Sequence, residues 1–141
     1  MAGSIEIHWF VDKRVRLLTA IGHLELPTVK VFDETTRLMY DAATQPVHVI
    51  LDVRHLRTVP PISELLKMST LWHKRQDFVA TVGAMRQPMM RLLFTTLLHV
   101  GRLNYRDVDT VEEAKRLVMA YEPTLPPLEA WAPAPFENLY P

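Results

Sequence analysis

One stretch, Pro46-Val47-His48-Val49-Ile50-Leu51-Asp52-Val53, constrains the fold of this chain more than any other. Val47, Val49, Leu51 and Val53 alternate with His48, Ile50 and Asp52. Ile50 is apolar on the second face, so the pattern is that of a strand buried on both sides. Such strands are central and parallel rather than at an edge. Arg54, His55 and Arg57 follow in what reads as a loop, and Pro60-Pro61 then opens a helix. Strand, loop and proline-started helix make half of a βαβ unit.

Around that strand the elements fall in order. Ile5, Ile7, Trp9 and Val11 form one apolar face of a first strand, and Arg14 to Gly22 reads as a second, joined by a turn at Asp12-Lys13. Helical spacing follows from about Pro27 to Ala43, through Val31, Phe32, Thr35, Leu38, Met39 and Ala42, with Asp33 and Glu34 placed as the macrodipole favours. After the central strand a second helix is expected from Pro61 to about His73. Asp77 to Gly83 is a short β-rich run. A third helix from about Pro88 to Arg102 is apolar on more than one stripe. Asn104 to Val108 reads as a last strand, and Thr110 with Glu113 makes a capping box ahead of a final helix. This order predicts an α/β fold with a four- to five-stranded mixed sheet, about four helices and most helices on one side.

Composition narrows the class. A chain of 141 residues, 48% hydrophobic and 23% charged, is large enough for one domain and too apolar for disorder. The absence of cysteine excludes disulfides and thiol chemistry. No apolar run approaches a membrane span, and the first residues lack the features of a signal peptide, so a cytoplasmic protein is expected. Six of the eleven prolines fall in residues 123–141. Residues 1–121 therefore read as the domain and 122–141 as a proline-stiffened arm. Residues 54–102 carry eight Lys/Arg against Glu64 and Asp77, a net +6, which is either an exposed basic surface or an anion-facing side.

The element order, with Val49-Ile50-Leu51-Asp52-Val53 ahead of a proline-broken loop and helix, resembles the STAS domain of anti-sigma factor antagonists. The likeness is to the SpoIIAA-like branch, whose fold is related to that of the CRAL-TRIO lipid-exchange proteins. Tyr105-Arg106-Asp107-Val108-Asp109-Thr110-Val111-Glu112-Glu113-Ala114 is similar to the F-x-T-x-E-E-A stretch that opens the last helix of that group. The resemblance covers residues 5–121 and implies a protein-interaction or regulatory module. In the phospho-regulated antagonists D-S-S-G follows the central strand, whereas here Pro60-Pro61-Ile62-Ser63 stands there. The acceptor position is Pro61, so no phosphorylation site is expected.

Candidate sites are few. Asp52 near His55 is the pair that looks like acid–base equipment, but a strand-end aspartate capping loop amides explains it without catalysis. The six histidines lack metal-ligand spacing, and no nucleotide or nucleophile motif occurs, so no enzyme, metal or cofactor is expected. With no basic stripe interleaved with aromatics, nucleic acid is not an expected partner. Arg54, His55, Arg57 and Arg86 are expected to gather at the carboxyl ends of the parallel strands, where they would hold an anionic head group. Met89, Met90, Leu93, Phe94 and Leu97, with Trp131 and Phe136 of the arm, form a candidate interaction surface. Two functions remain open: a non-enzymatic interaction module that binds another protein or itself as a homodimer, and a carrier or sensor of a hydrophobic small molecule, anionic or neutral. If the central strand is right, Ile50→Asp buries an unpaired charge costing several kcal/mol. The variant should then lack a cooperative melting transition in circular dichroism.

Overall fold

A computed structural model describes residues 3–99 and 104–135. Strands β1 (Ser4–Val11) and β2 (Val15–His23) form an antiparallel hairpin, with Lys13 in the left-handed conformation at the turn. Helix α1 (Leu26–Ala42) leads to β3 (Val47–Thr58), α2 (Ile62–Leu65), β4 (Gln76–Val82), α3 (Pro88–His99), β5 (Asn104–Val108) and α4 (Val111–Tyr121). The sheet order is β5-β4-β3-β2-β1, with β2 to β5 mutually parallel, so the fold is α/β with a five-stranded mixed sheet and four helices. A two-residue strand β6 (Ala134–Pro135) adds antiparallel to the outer edge of β1.

As expected, β3 is the middle strand, and Val47, Ile50 and Val53 have no solvent exposure. It does not end at Val53. The backbone stays paired with β2 to Thr58, through Ile21 opposite His55 and Gly22 opposite Leu56. Arg54, His55 and Arg57 therefore lie on a strand, not in a loop.

The two faces of the sheet carry separate cores. One packs β2, β3 and β4 against α1, α2 and α3, through residues including Leu18, Val49, Val53, Met39 and Leu93. The other packs Val15, Ile50, Phe78 and Val82 against Ala114 and Val118 of α4. Thr110 caps α4 by accepting a hydrogen bond from the Glu113 amide at 3.1 Å, as its sequence requires. Pro27 and Pro88 sit in the first turns of α1 and α3, where a missing amide hydrogen leaves no bond unmade.

The arm closes the second core in its own chain. Leu125 and Trp131 are buried there, Trp131 lies 6.1 Å from the Phe10 ring, and its Nε1 donates to the Pro126 carbonyl at 2.9 Å. Pro126 and Pro127 restrict the arm before it docks, so less entropy is lost on docking.

The second helix differs most from expectation. It is one turn long, not a run from Pro61 to His73. Asp33, in the middle of α1, accepts hydrogen bonds from the Ser69 amide (3.0 Å) and hydroxyl (3.1 Å) and from the Thr70 amide (3.0 Å) and hydroxyl (2.7 Å). Those bonds hold Ser69–Trp72 in a 3-10 turn, so the helix cannot run on. Asp33 thus joins two elements and does not serve the α1 dipole.

Removing the arm tests this packing. Truncation of a large buried aromatic costs about 3–5 kcal/mol, so Trp131→Ala should lower the unfolding free energy by that much, read as a lower denaturant midpoint at unchanged slope. An unchanged midpoint would mean that the arm is not part of the fold.

Candidate functional site

Because α2 is so short, the roof over the first face is incomplete. Leu51 occupies the middle of the central strand yet is only half-buried. Above it lies a cavity of about 110 Å³, floored by Leu18, Val49, Leu51 and Val79 and roofed by Phe32, Leu65, Met68 and Leu93. Among the described residues every lining side chain is apolar except Arg16, Thr70 and Gln76.

Arg16 decides the chemistry of this cavity. It lies on β2 in phase with Leu18 and Ala20, so it faces α1 and the first core, and it is 1% exposed. Its Nη1 donates to Thr36 Oγ1 at 3.0 Å and reaches Met39 Sδ at 3.7 Å, and its Nη2 donates to the Tyr40 hydroxyl at 2.9 Å. The Tyr40 hydroxyl in turn donates to Gln76 Oε1 at 2.8 Å, and the Tyr40 ring centroid lies 4.6 Å from the Arg16 guanidinium carbon. Among the described residues Nε of Arg16 has no hydrogen-bond partner.

All three partners are neutral. Burial raises the Tyr40 phenol even against the attraction of Arg16, so tyrosine keeps its proton. The same burial lowers the Arg16 guanidinium, with Tyr40 opposing it. Among the described residues no carboxylate pairs with Arg16. The carboxyl-terminal half of α1 supplies Thr36, Met39 and Tyr40, and a helix dipole offsets at most about 2 kcal/mol for a cation at its end. A desolvated cation costs several kcal/mol, which the hydrogen bonds, the Tyr40 ring and the helix end offset without any described group neutralising the charge. The result is an apolar cavity with a buried, unpaired positive charge at one end.

The residues expected to hold an anion do not line this cavity. Arg54 is held by Asp52, donating from Nε at 3.0 Å and from Nη2 at 2.8 Å, while its amide donates to the same carboxylate at 3.1 Å. Burial would raise the Asp52 carboxyl, but the Arg54 bonds outweigh it and hold it below the ordinary range. Asp52 thus binds a strand arginine, without His55 among its hydrogen-bond partners. Arg86 donates to Asp109 at 2.9 Å, and His55 and Arg57 are exposed. Gly83, at φ +79°, lies against the Arg54 side chain, which brings the turn before Arg86 beside β3. Asp107 holds that turn through the Ala84 amide at 2.9 Å.

The cavity also accounts for most of the expected interaction surface. Met90, Leu93, Phe94 and Leu97 are buried in the first core, and Met90, Leu93 and Phe94 line the cavity. They face inward because α3 lies on the sheet along that stripe. Trp131 is buried against Phe10, while Met89 and Leu92 stay exposed at 38% and 50%. Phe136 lies outside the described residues.

On the opposite face His48 is fully buried, with Nδ1 3.3 Å from the Phe78 amide, and burial lowers its pKa. Among the described residues no three potential metal ligands gather, and no helix is long and apolar enough to cross a membrane. In comparisons with known proteins, no family model and no curated protein matches this chain.

Asp33 builds the cavity roof, and its titration reads that role. Burial alone would raise its carboxyl, but the bonds from Thr70 and Ser69 outweigh burial and leave it below the usual range. The unfolded chain therefore binds the proton more tightly. The clamp is complete above the ordinary carboxylate pKa of about 3.9 and is lost as pH falls through the lower folded value. Asp33→Asn should cost about 1–2 kcal/mol at neutral pH, the scale for charged hydrogen bonds discounted for solvent. It should also flatten the loss of stability below pH ~4. Equal acid melting curves for both proteins would exclude the clamp.

Proposed function

We propose that this chain binds a hydrophobic small molecule beneath α1, α2 and α3, as a carrier or sensor. The observation that carries this reading is the cavity floored by Leu51, an apolar residue of the central strand left half-buried. Sheets seldom leave their middle strand uncovered, because apolar area exposed there forgoes roughly 25 cal/mol per Å². A ligand that fills the gap recovers that term. The alternative, an interaction module of the STAS kind, has less exposed apolar surface to work with. Met90, Leu93, Phe94, Leu97 and Trp131 are used inside the chain, leaving Val31, Met89, Leu92 and Tyr121 as the large exposed apolar side chains among the described residues. Neither reading calls for a catalytic group.

Small neutral probes test the cavity directly. Toluene and indole should raise the melting temperature of the protein by a few degrees, since a ligand that binds only the folded state stabilises it by mass action. Leu51→Phe fills the space from the floor and should abolish that response while the protein stays folded. If neither probe shifts the transition, or the variant responds as the parent does, the cavity is not a binding site.

A further inference from the structure

We infer that the ligand is a monocarboxylic acid with a compact apolar body, its carboxylate paired with Arg16 inside the cavity. This rests on the cavity being a ligand site, and adds which chemical class enters it. Three observations carry it. Arg16 is buried and lines the cavity, yet its described partners Thr36, Met39 and Tyr40 bring no negative charge. Its donors are only partly used: Nη1 serves Thr36 and Met39, Nη2 serves Tyr40, and Nε serves nothing among the described residues. A guanidinium has five N–H donors, so the Nε hydrogen and one on Nη2 remain, and a planar two-oxygen anion can accept from two guanidinium nitrogens at once. The Tyr40–Gln76 pair continues the polar end, and the remaining wall is hydrocarbon apart from Thr70, whose hydroxyl is committed to Asp33.

Size sets the second half of the inference. A cavity of about 110 Å³ is somewhat smaller than an engineered one of roughly 150 Å³ that admits benzene. The body is therefore at most about one aromatic ring, or a short acyl chain of about four to six carbons. Charge on the head and apolar atoms in the body follow from the two ends of one cavity. The site lies toward the amino-terminal ends of the parallel strands, since Arg16 is opposite Val49 and Gln76 opposite Val47.

The test is calorimetric titration of the full chain with matched pairs, hexanoate against hexanol and phenylacetate against phenylacetamide. Acetate and inorganic phosphate serve as head groups without a body. Each acid should bind at least about tenfold tighter than its neutral partner, the scale of one charged hydrogen bond. Arg16→Met should erase that preference. Arg16→Lys, which keeps the charge and loses the fork, should reduce it, and decides the matter if the methionine variant does not fold. Equal binding of acid and neutral partner overturns the carboxylate and leaves the cavity reading standing. Binding of indole but of neither acid does the same. Failure of every probe, indole included, overturns both. Acetate or phosphate binding as tightly as hexanoate shows an anion site with no role for the apolar body, and also overturns the inference.

Discussion

The structure turns on one carboxylate. Asp33 of α1 takes four hydrogen bonds from Ser69 and Thr70, and so stops the second helix from continuing. Because α2 ends at Leu65, Leu51 is left half-buried in the middle of the fold and a cavity opens between sheet and helices. The arrangement trades continuous packing for a hollow, which is a common origin of small-molecule sites.

The second constraint is the charge beside that hollow. An arginine that lies on a strand in phase with Leu18 and Ala20 cannot reach water without leaving the core. Its hydroxyl and thioether partners orient it but do not neutralise it. The opposite face is built differently. There α4 and the arm close over Ile50, Val82 and Phe10 with Trp131 in a second apolar cluster. The described cavity and its cation belong to the face under α1, α2 and α3.

Much of the fold was legible because period and punctuation agreed. The hairpin, the doubly buried β3, the β5 run and the Thr110 cap each follow from side-chain alternation or a short motif, and the structure has all of them. The candidate cavity was not legible, for two reasons. The interruption of α2 depends on Asp33, 36 residues before Ser69, and local spacing carries no trace of such a bond. The expected anion residues Arg54, within β3, and Arg86, after β4, lie outside the cavity, and each is held by an aspartate, Asp52 or Asp109. Arg16 did leave a signal: it shares a face with Leu18 and Ala20 of β2, next to the central strand, where an arginine must be buried. Phase along the strand, weighed above proximity to a loop, would have found it. The breadth of apolar residues on α3 likewise reflected a cavity wall as well as the sheet contact, so Met90, Leu93 and Phe94 were informative residues with an inward role.

The most direct measurement is methyl and arginine side-chain NMR of the protein titrated with hexanoate. The account predicts shifts at the methyls of Leu18, Val49, Leu51 and Leu93, together with the Arg16 Nε resonance, while Ile50, Val82 and Val118 on the α4 face stay in place. Shifts centred on the α4 face, or on Arg54 and Arg57 with Arg16 unmoved, would contradict it.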